Sequence, residues 1–156
     1  MDDYAIDFCH QQELLQVDEL QLKNAIELVL SQEGVSHAEV RVAFVDDDCI
    51  HQANRQFLGH DQPTDVLSFP DNQQAGPLGG DIMVSTETAI RQSNHYGWSA
   101  QHELLLYIIH GVLHLIGYED LDDDARKIMR DREIHYLKSL GIEALYDPEE
   151  LSRHSL

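Results

Sequence analysis

His110 and His114 stand four residues apart in the most apolar stretch of the chain, Ala100 to Ile116. On a helix that spacing stacks two side chains on one face, with imidazoles near enough to share a metal ion. Two readings of the pair are open: half of a metal site, or two core histidines satisfied by hydrogen bonds. The residues that follow favour the first. Gly117 stops the helix and lets the chain turn back, and Asp120 completes a His-x3-His-x5-Asp pattern. Two imidazoles and a carboxylate leave at least one coordination position open, as in catalytic rather than structural zinc sites. A structural site would draw on paired cysteines, and neither Cys9 nor Cys49 has a partner nearby in sequence. Gly111 stands where a zinc peptidase of the His-Glu-x-x-His type carries its glutamate base, which disfavours that class. One Zn2+ ion is the favoured occupant, although the donor set also resembles the two-His-one-carboxylate triad that accepts iron and other metals, nickel among them.

The elements that must position these groups are legible as hydrophobic patterns. Tyr4 to Phe8 reads as a short strand, and Leu22, Ala25, Ile26, Val29 and Leu30 recur at helical spacing up to Gly34. Asp18, with Gln21 three residues on, starts that helix. Val40, Val42, Phe44 and Val45 form a second strand. The acidic triplet Asp46-Asp47-Asp48 then caps a helix carrying Ile50, Ala53 and Phe57. Val66 to Phe69 is an apolar run ended by Pro70, Asp71 to Gly80 is a loop by composition, and Ile82 to Val84 is a further strand. A helix begins near Ser85 or Thr86, with Glu87 in its first turn. Ala100 to Ile116 is apolar nearly all round, as befits a helix buried at the centre of a fold. A last helix runs from about Leu121 to Leu140, opened by Asp122-Asp123-Asp124. The order predicts an α+β fold: a small mixed four-stranded sheet in a single layer, packed with about five helices.

The chain has 156 residues, 42% of them hydrophobic, and 29 Asp plus Glu against 10 Lys plus Arg, a formal net charge of -19. Such a length and composition predict one globular domain over 1–156, with residues 147–156 as a flexible tail. The charge argues against a generic nucleic-acid binder and against docking on an anionic membrane. Cys9 follows Phe8 and Cys49 precedes Ile50, which reads both as small reduced core residues. Met1-Asp2-Asp3-Tyr4 lacks the basic start of a secretory signal, and Leu104 to Ile116 is too short to span a bilayer, so a cytoplasmic location is expected. The basic residues of the last helix, Arg126, Lys127, Arg130, Arg132 and Lys138, read as an exposed salt-bridged face, with Asp122 and Asp123 four residues ahead of Arg126 and Lys127.

The run His110-Gly111-Val112-Leu113-His114-Leu115-Ile116-Gly117-Tyr118-Glu119-Asp120 resembles the signature of the YbeY family of bacterial metal-dependent endoribonucleases. Asn54 with Asp61-Gln62-Pro63-Thr64-Asp65-Val66-Leu67-Ser68-Phe69-Pro70 is similar to a second motif of that family, and Gly80-Asp81-Ile82 to a third. The resemblance implies a metal held by the helix histidines. It also implies cleavage of single-stranded RNA in ribosomal RNA processing, at the 3′ end of the small-subunit species, and in ribosome quality control. Two positions depart from the pattern. Asp120 stands where the family usually has a third histidine, and Leu58 where it usually has an arginine thought to serve the reaction. Asp65, His60 and Arg55 are the candidates for the unassigned catalytic roles. With so acidic a chain, the expectation is weak binding to free RNA, the ribosome or a basic ribosomal protein bringing the substrate, and neither DNA nor a membrane as partner. The rival readings are a metal-dependent hydrolase of peptides or amides, and a non-catalytic ribosome-assembly factor with a structural metal.

Overall fold

The structure, a computed structural model, describes residues 2–59, 64–71 and 77–144. His60 and the expected tail at 147–156 lie outside them. Strand β1 (Asp3–His10) is followed by helix α1 (Glu19–Gln32), β2 (His37–Val45), α2 (Asp47–Leu58), β3 (Val66–Pro70), β4 (Leu78–Ser85), α3 (Thr86–Tyr96), α4 (Ala100–Ile116) and α5 (Asp123–Ser139). The four strands form one mixed sheet in the order β1-β2-β4-β3. β1 and β4 run parallel to β2, placing Ile6 beside Val40 and Val42 beside Ile82, while β3 closes one edge antiparallel to β4 with Ser68 opposite Ile82. The expected α+β architecture is the one found.

Alternation along β2 decides which face is covered. Ala38, Val40, Val42 and Phe44 point into the main core with Leu22, Ile26 and Leu30 of α1 and the apolar body of α4. A smaller cluster, Val45, Ile50, Ala53 and Leu67, lies on the opposite face beneath α2. The acidic helix starts act as the sequence implied: Asp18, Asp46 and Asp122 each accept the backbone N–H three residues on, at 3.1, 2.8 and 2.8 Å. Ser85 caps α3 in the same way.

Three expectations are corrected. The supposed loop up to Gly80 gives way to a strand at Leu78, because Gly79 and Gly80 serve close backbone approach rather than a turn: a Cβ on Gly80 would stand 2.5 Å from the Phe69 carbonyl oxygen. Cys9 is exposed, since a neighbour of an inward Phe8 on a strand must point outward, and Cys49 is only half-buried at the margin of the smaller cluster, so neither is a fully buried core residue. Burial, with the Asp46 charge, pushes the Cys49 thiol pKa up. Nor is the basic face of α5 wholly solvent-borne. Met129, Arg130, Glu133, Tyr136 and Leu137 form its buried stripe, Arg130 being only 2% exposed. Arg126 pairs with Asp123 at 2.5 Å, and Arg132 reaches across to Glu33.

Candidate metal centre

Helix α4 is buried almost all round and sits against β3 and β4. It presses close to the sheet at Gly111, where a Cβ would meet Ile82 Cγ2 at 2.9 Å, and where the Ser68 hydroxyl donates to the Gly111 carbonyl oxygen at 3.1 Å. This contact accounts for the missing glutamate of the peptidase motif, since a side chain at that position would collide with the sheet. It also fixes the rotation of the helix, and with it the direction of the two histidines.

His110 and His114 lie one turn apart and edge to face, ring centroids 4.6 Å from each other and planes at 83°. Beyond them Gly117 adopts φ 123° and ends α4, and the Tyr118 N–H donates back to the Leu113 carbonyl at 3.0 Å. The turn is held at both ends. The Tyr118 hydroxyl donates to Glu33 at 2.6 Å, and Arg126 donates to the Asp120 carbonyl oxygen at 3.1 Å. The Glu33 carboxylate also accepts from Tyr136, so α1, α5 and the turn meet on one anion. So anchored, Asp120 places Oδ2 3.2 Å from His114 Nε2 and 3.5 Å from His110 Nε2.

One ligand atom from each of His110, His114 and Asp120 lies within 4.8 Å of the others, a donor set that could hold one divalent ion. His110 is buried, whereas His114 and Asp120 are half-buried and open to a cleft of about 300 Å³. The neighbouring imidazoles, His110 first and then His114, hold the Asp120 carboxyl well below the usual carboxylate range despite the opposing effect of burial. It is therefore ionised and able to serve as a ligand at neutral pH. Leu58, Asp65 and the β3 residues Val66 to Ser68 line the rest of the cleft, with Pro70 and Glu119. Ile82 lies beneath α4 and is not among the cleft residues, so β3 supplies that side of the cleft. A larger cavity of about 720 Å³ lies on the other side of the sheet and includes none of the three ligand candidates.

Of the remaining sequence candidates, Asp65 reaches the cleft but is largely committed to local structure. Its Oδ1 accepts the Val66 N–H at 2.8 Å and faces the Thr64 hydroxyl at 3.4 Å, opening β3. Arg55 is exposed on α2 and is not among the cleft residues, which include Leu58 from the last turn of that helix. Sequence reasoning missed Glu133 altogether. This residue, 0% exposed, places Oε2 2.6 Å from His110 Nδ1, while its Oε1 accepts from Arg130 at 2.6 Å. The recurrence of Met129, Glu133, Tyr136 and Leu137 at helical spacing was the signal that could have found it.

Comparison with known proteins gives a consistent result. The family described as Endoribonuclease YbeY matches residues 7–141 of the chain. A protein of that description from Pelotomaculum thermopropionicum is 44% identical over 130 residues, covering 78% of this chain and 85% of its own. Another from Desulforamulus reducens is 40% identical over 143 residues, covering 84% and 94%. Among solved structures, the solution structure of a Thermotoga maritima protein superposes with a TM-score of 0.60 at 28% identity, covering 88% of each chain.

Proposed function

This chain belongs to the Endoribonuclease YbeY family, and from that premise we propose that it is a metal-dependent endoribonuclease that cleaves single-stranded RNA at the cleft bearing His110, His114 and Asp120. The observation that carries the reading is the convergence of those three donors on one point at the mouth of a cleft, on a buried helix that cannot easily turn. The donor chemistry fits a divalent ion with an open position, zinc first and iron or nickel as alternatives. Bound there, the ion would supply Lewis acidity toward a phosphodiester oxygen and lower the pKa of an attacking water.

The chain's own part is to hold and shape. α4 fixes both imidazoles, the Gly117–Asp120 turn delivers the carboxylate, and β3 forms the wall along which a strand of RNA would lie. Asp120 adds a negative charge where a third imidazole would add none, so with a metal bound here a coordinated water would be less acidified than beside three histidines. Among the described residues Arg41, Arg91, Arg126, Arg130 and Arg132 each face a carboxylate, which leaves them poorly placed to track phosphates. Weak binding to free RNA follows. What the family resemblance implies for such a chain is ribosomal RNA near the 3′ end of the small-subunit species as the physiological substrate, presented in the cytoplasm by the ribosome or a basic ribosomal protein. No helix among the described residues is long and apolar enough to cross a membrane.

The test is a substrate panel offered to metal-loaded protein: single-stranded RNA, its duplex, the DNA of the same sequence, and peptides. Cleavage confined to the single-stranded RNA supports the reading. Peptide hydrolysis with intact RNA would replace it with an amide hydrolase.

A further inference from the structure

Glu133 and Arg130 form a fully enclosed ion pair on α5, at 0% and 2% exposure, with Arg130 Nη1 2.6 Å from Glu133 Oε1. Taking two charges out of water is costly, and packed apolar residues of similar volume often stabilise a fold as well or better. The pair therefore calls for a reason beyond stability. The second carboxylate oxygen provides it, since Glu133 Oε2 lies 2.6 Å from Nδ1 of His110.

We propose that Glu133, itself oriented by Arg130, is the positioning residue for His110, fixing the ring so that Nε2 presents its lone pair to the point shared with His114 and Asp120. The inference rests on the reading of those three residues as the metal ligands. A carboxylate facing a guanidinium that stays protonated accepts hydrogen bonds, so His110 Nδ1 carries the proton and Nε2 is left unprotonated for the metal. The observed geometry agrees: Nε2, not Nδ1, is the atom that faces Asp120, at 3.5 Å. Arg130 also cancels the charge of Glu133, so this support adds no net negative charge to a site that already carries Asp120. His114, half-buried, has its Nε2 facing Asp120 as well. The two ligands of α4 thus differ in kind: one is locked from within the core and the other faces the cleft. Glu133 touches neither substrate nor metal in this scheme and acts only through His110.

Outer carboxylates of this kind typically contribute 10–100-fold to metal affinity. The experiment is a zinc titration of the metal-free full chain against a chromophoric chelator, with the visible spectrum of the cobalt-loaded protein as a second readout. Wild type, Glu133→Gln, the double variant Arg130→Met/Glu133→Leu, and His114→Ala are compared. Glu133→Gln is expected to bind zinc about 10–100-fold more weakly and to show a shifted cobalt spectrum. The double variant removes both buried charges without leaving either unpaired, so it should fold, its thermal midpoint lowered only by the cost of the orphaned His110 Nδ1–H, and still lose the affinity. It decides the matter if the single variant does not fold. Zinc affinity within twofold of wild type in either folded variant, with His114→Ala unable to bind, would overturn the positioning role and leave the ligand assignment standing. Wild-type binding by His114→Ala would instead overturn the ligand assignment, and this inference with it.

Discussion

Replacing Arg130 with Met isolates the energetic role of the buried pair from any role in metal binding, provided the protein is studied metal-free. The change leaves Glu133 enclosed at 0% exposure and without its guanidinium partner at 2.6 Å. Breaking a buried pair by removing one member costs about 3–5 kcal/mol, because the remaining charge is stranded in a medium that solvates it poorly. A domain of this size has a total stability of about 5–15 kcal/mol, so the loss is a large fraction of what holds the fold together. The corresponding drop in thermal midpoint is roughly 6–20 °C, at about 2–4 °C per kcal/mol for chains of 150–250 residues. Urea unfolding of wild type and Arg130→Met, both in chelator, measures the difference in free energy directly. Adding Glu133→Leu should recover most of it, since both charges are then gone and an apolar side chain fills the space. A single variant within about 1 kcal/mol of wild type would refute the reasoning, because a stranded buried carboxylate cannot cost so little. It would mean that His110, still 2.6 Å from the carboxylate, or water offsets the Glu133 charge.

Asp47 ties α2 to α3 by accepting from Ser85 at 2.5 Å, Thr88 at 2.7 Å and Arg91 at 3.1 Å. Burial raises its pKa, but these three partners together outweigh that and hold it below the ordinary value. Its stabilisation should therefore be complete at neutral pH and vanish as pH falls through and below about 3.9, the unfolded value. The stability gap between wild type and Asp47→Asn, followed by urea unfolding across pH, should shrink toward acid; a gap that widens there contradicts the assignment. Leu58 lines the cleft where relatives of this family are expected to offer a cation. Leu58→Arg should raise kcat/KM on single-stranded RNA about tenfold, a fraction of the ~10²–10³ that a well-placed donor to developing charge can supply. An unchanged rate would show that the guanidinium does not reach the scissile phosphate.

The pieces of the fold that the sequence disclosed are those written in local patterns. The four-residue spacing of His110 and His114, the stop at Gly117 and the caps at Asp18, Asp46 and Asp122 each depend on residues close in the chain, and each stands where expected. What escaped depends on partners distant in sequence. Gly79 and Gly80 read as loop residues because their role is set by Glu39 on β2 and Phe69 on β3, which press too close for a Cβ. Arg130 and Glu133, three apart, look like any exposed helix pair; only the packing of α5 against α4 buries them. His110 thus announced itself as a ligand candidate, while the residue that orients it, 23 positions away, did not.

The most direct test of the central claim is a titration of metal-free protein with zinc while the cleavage of a single-stranded RNA is followed, for wild type and for His114→Ala. Wild-type activity is expected to rise from near zero to a plateau at about one ion per chain, and the variant to stay flat throughout. Equal cleavage by the variant, or full activity before any zinc is added, would contradict it.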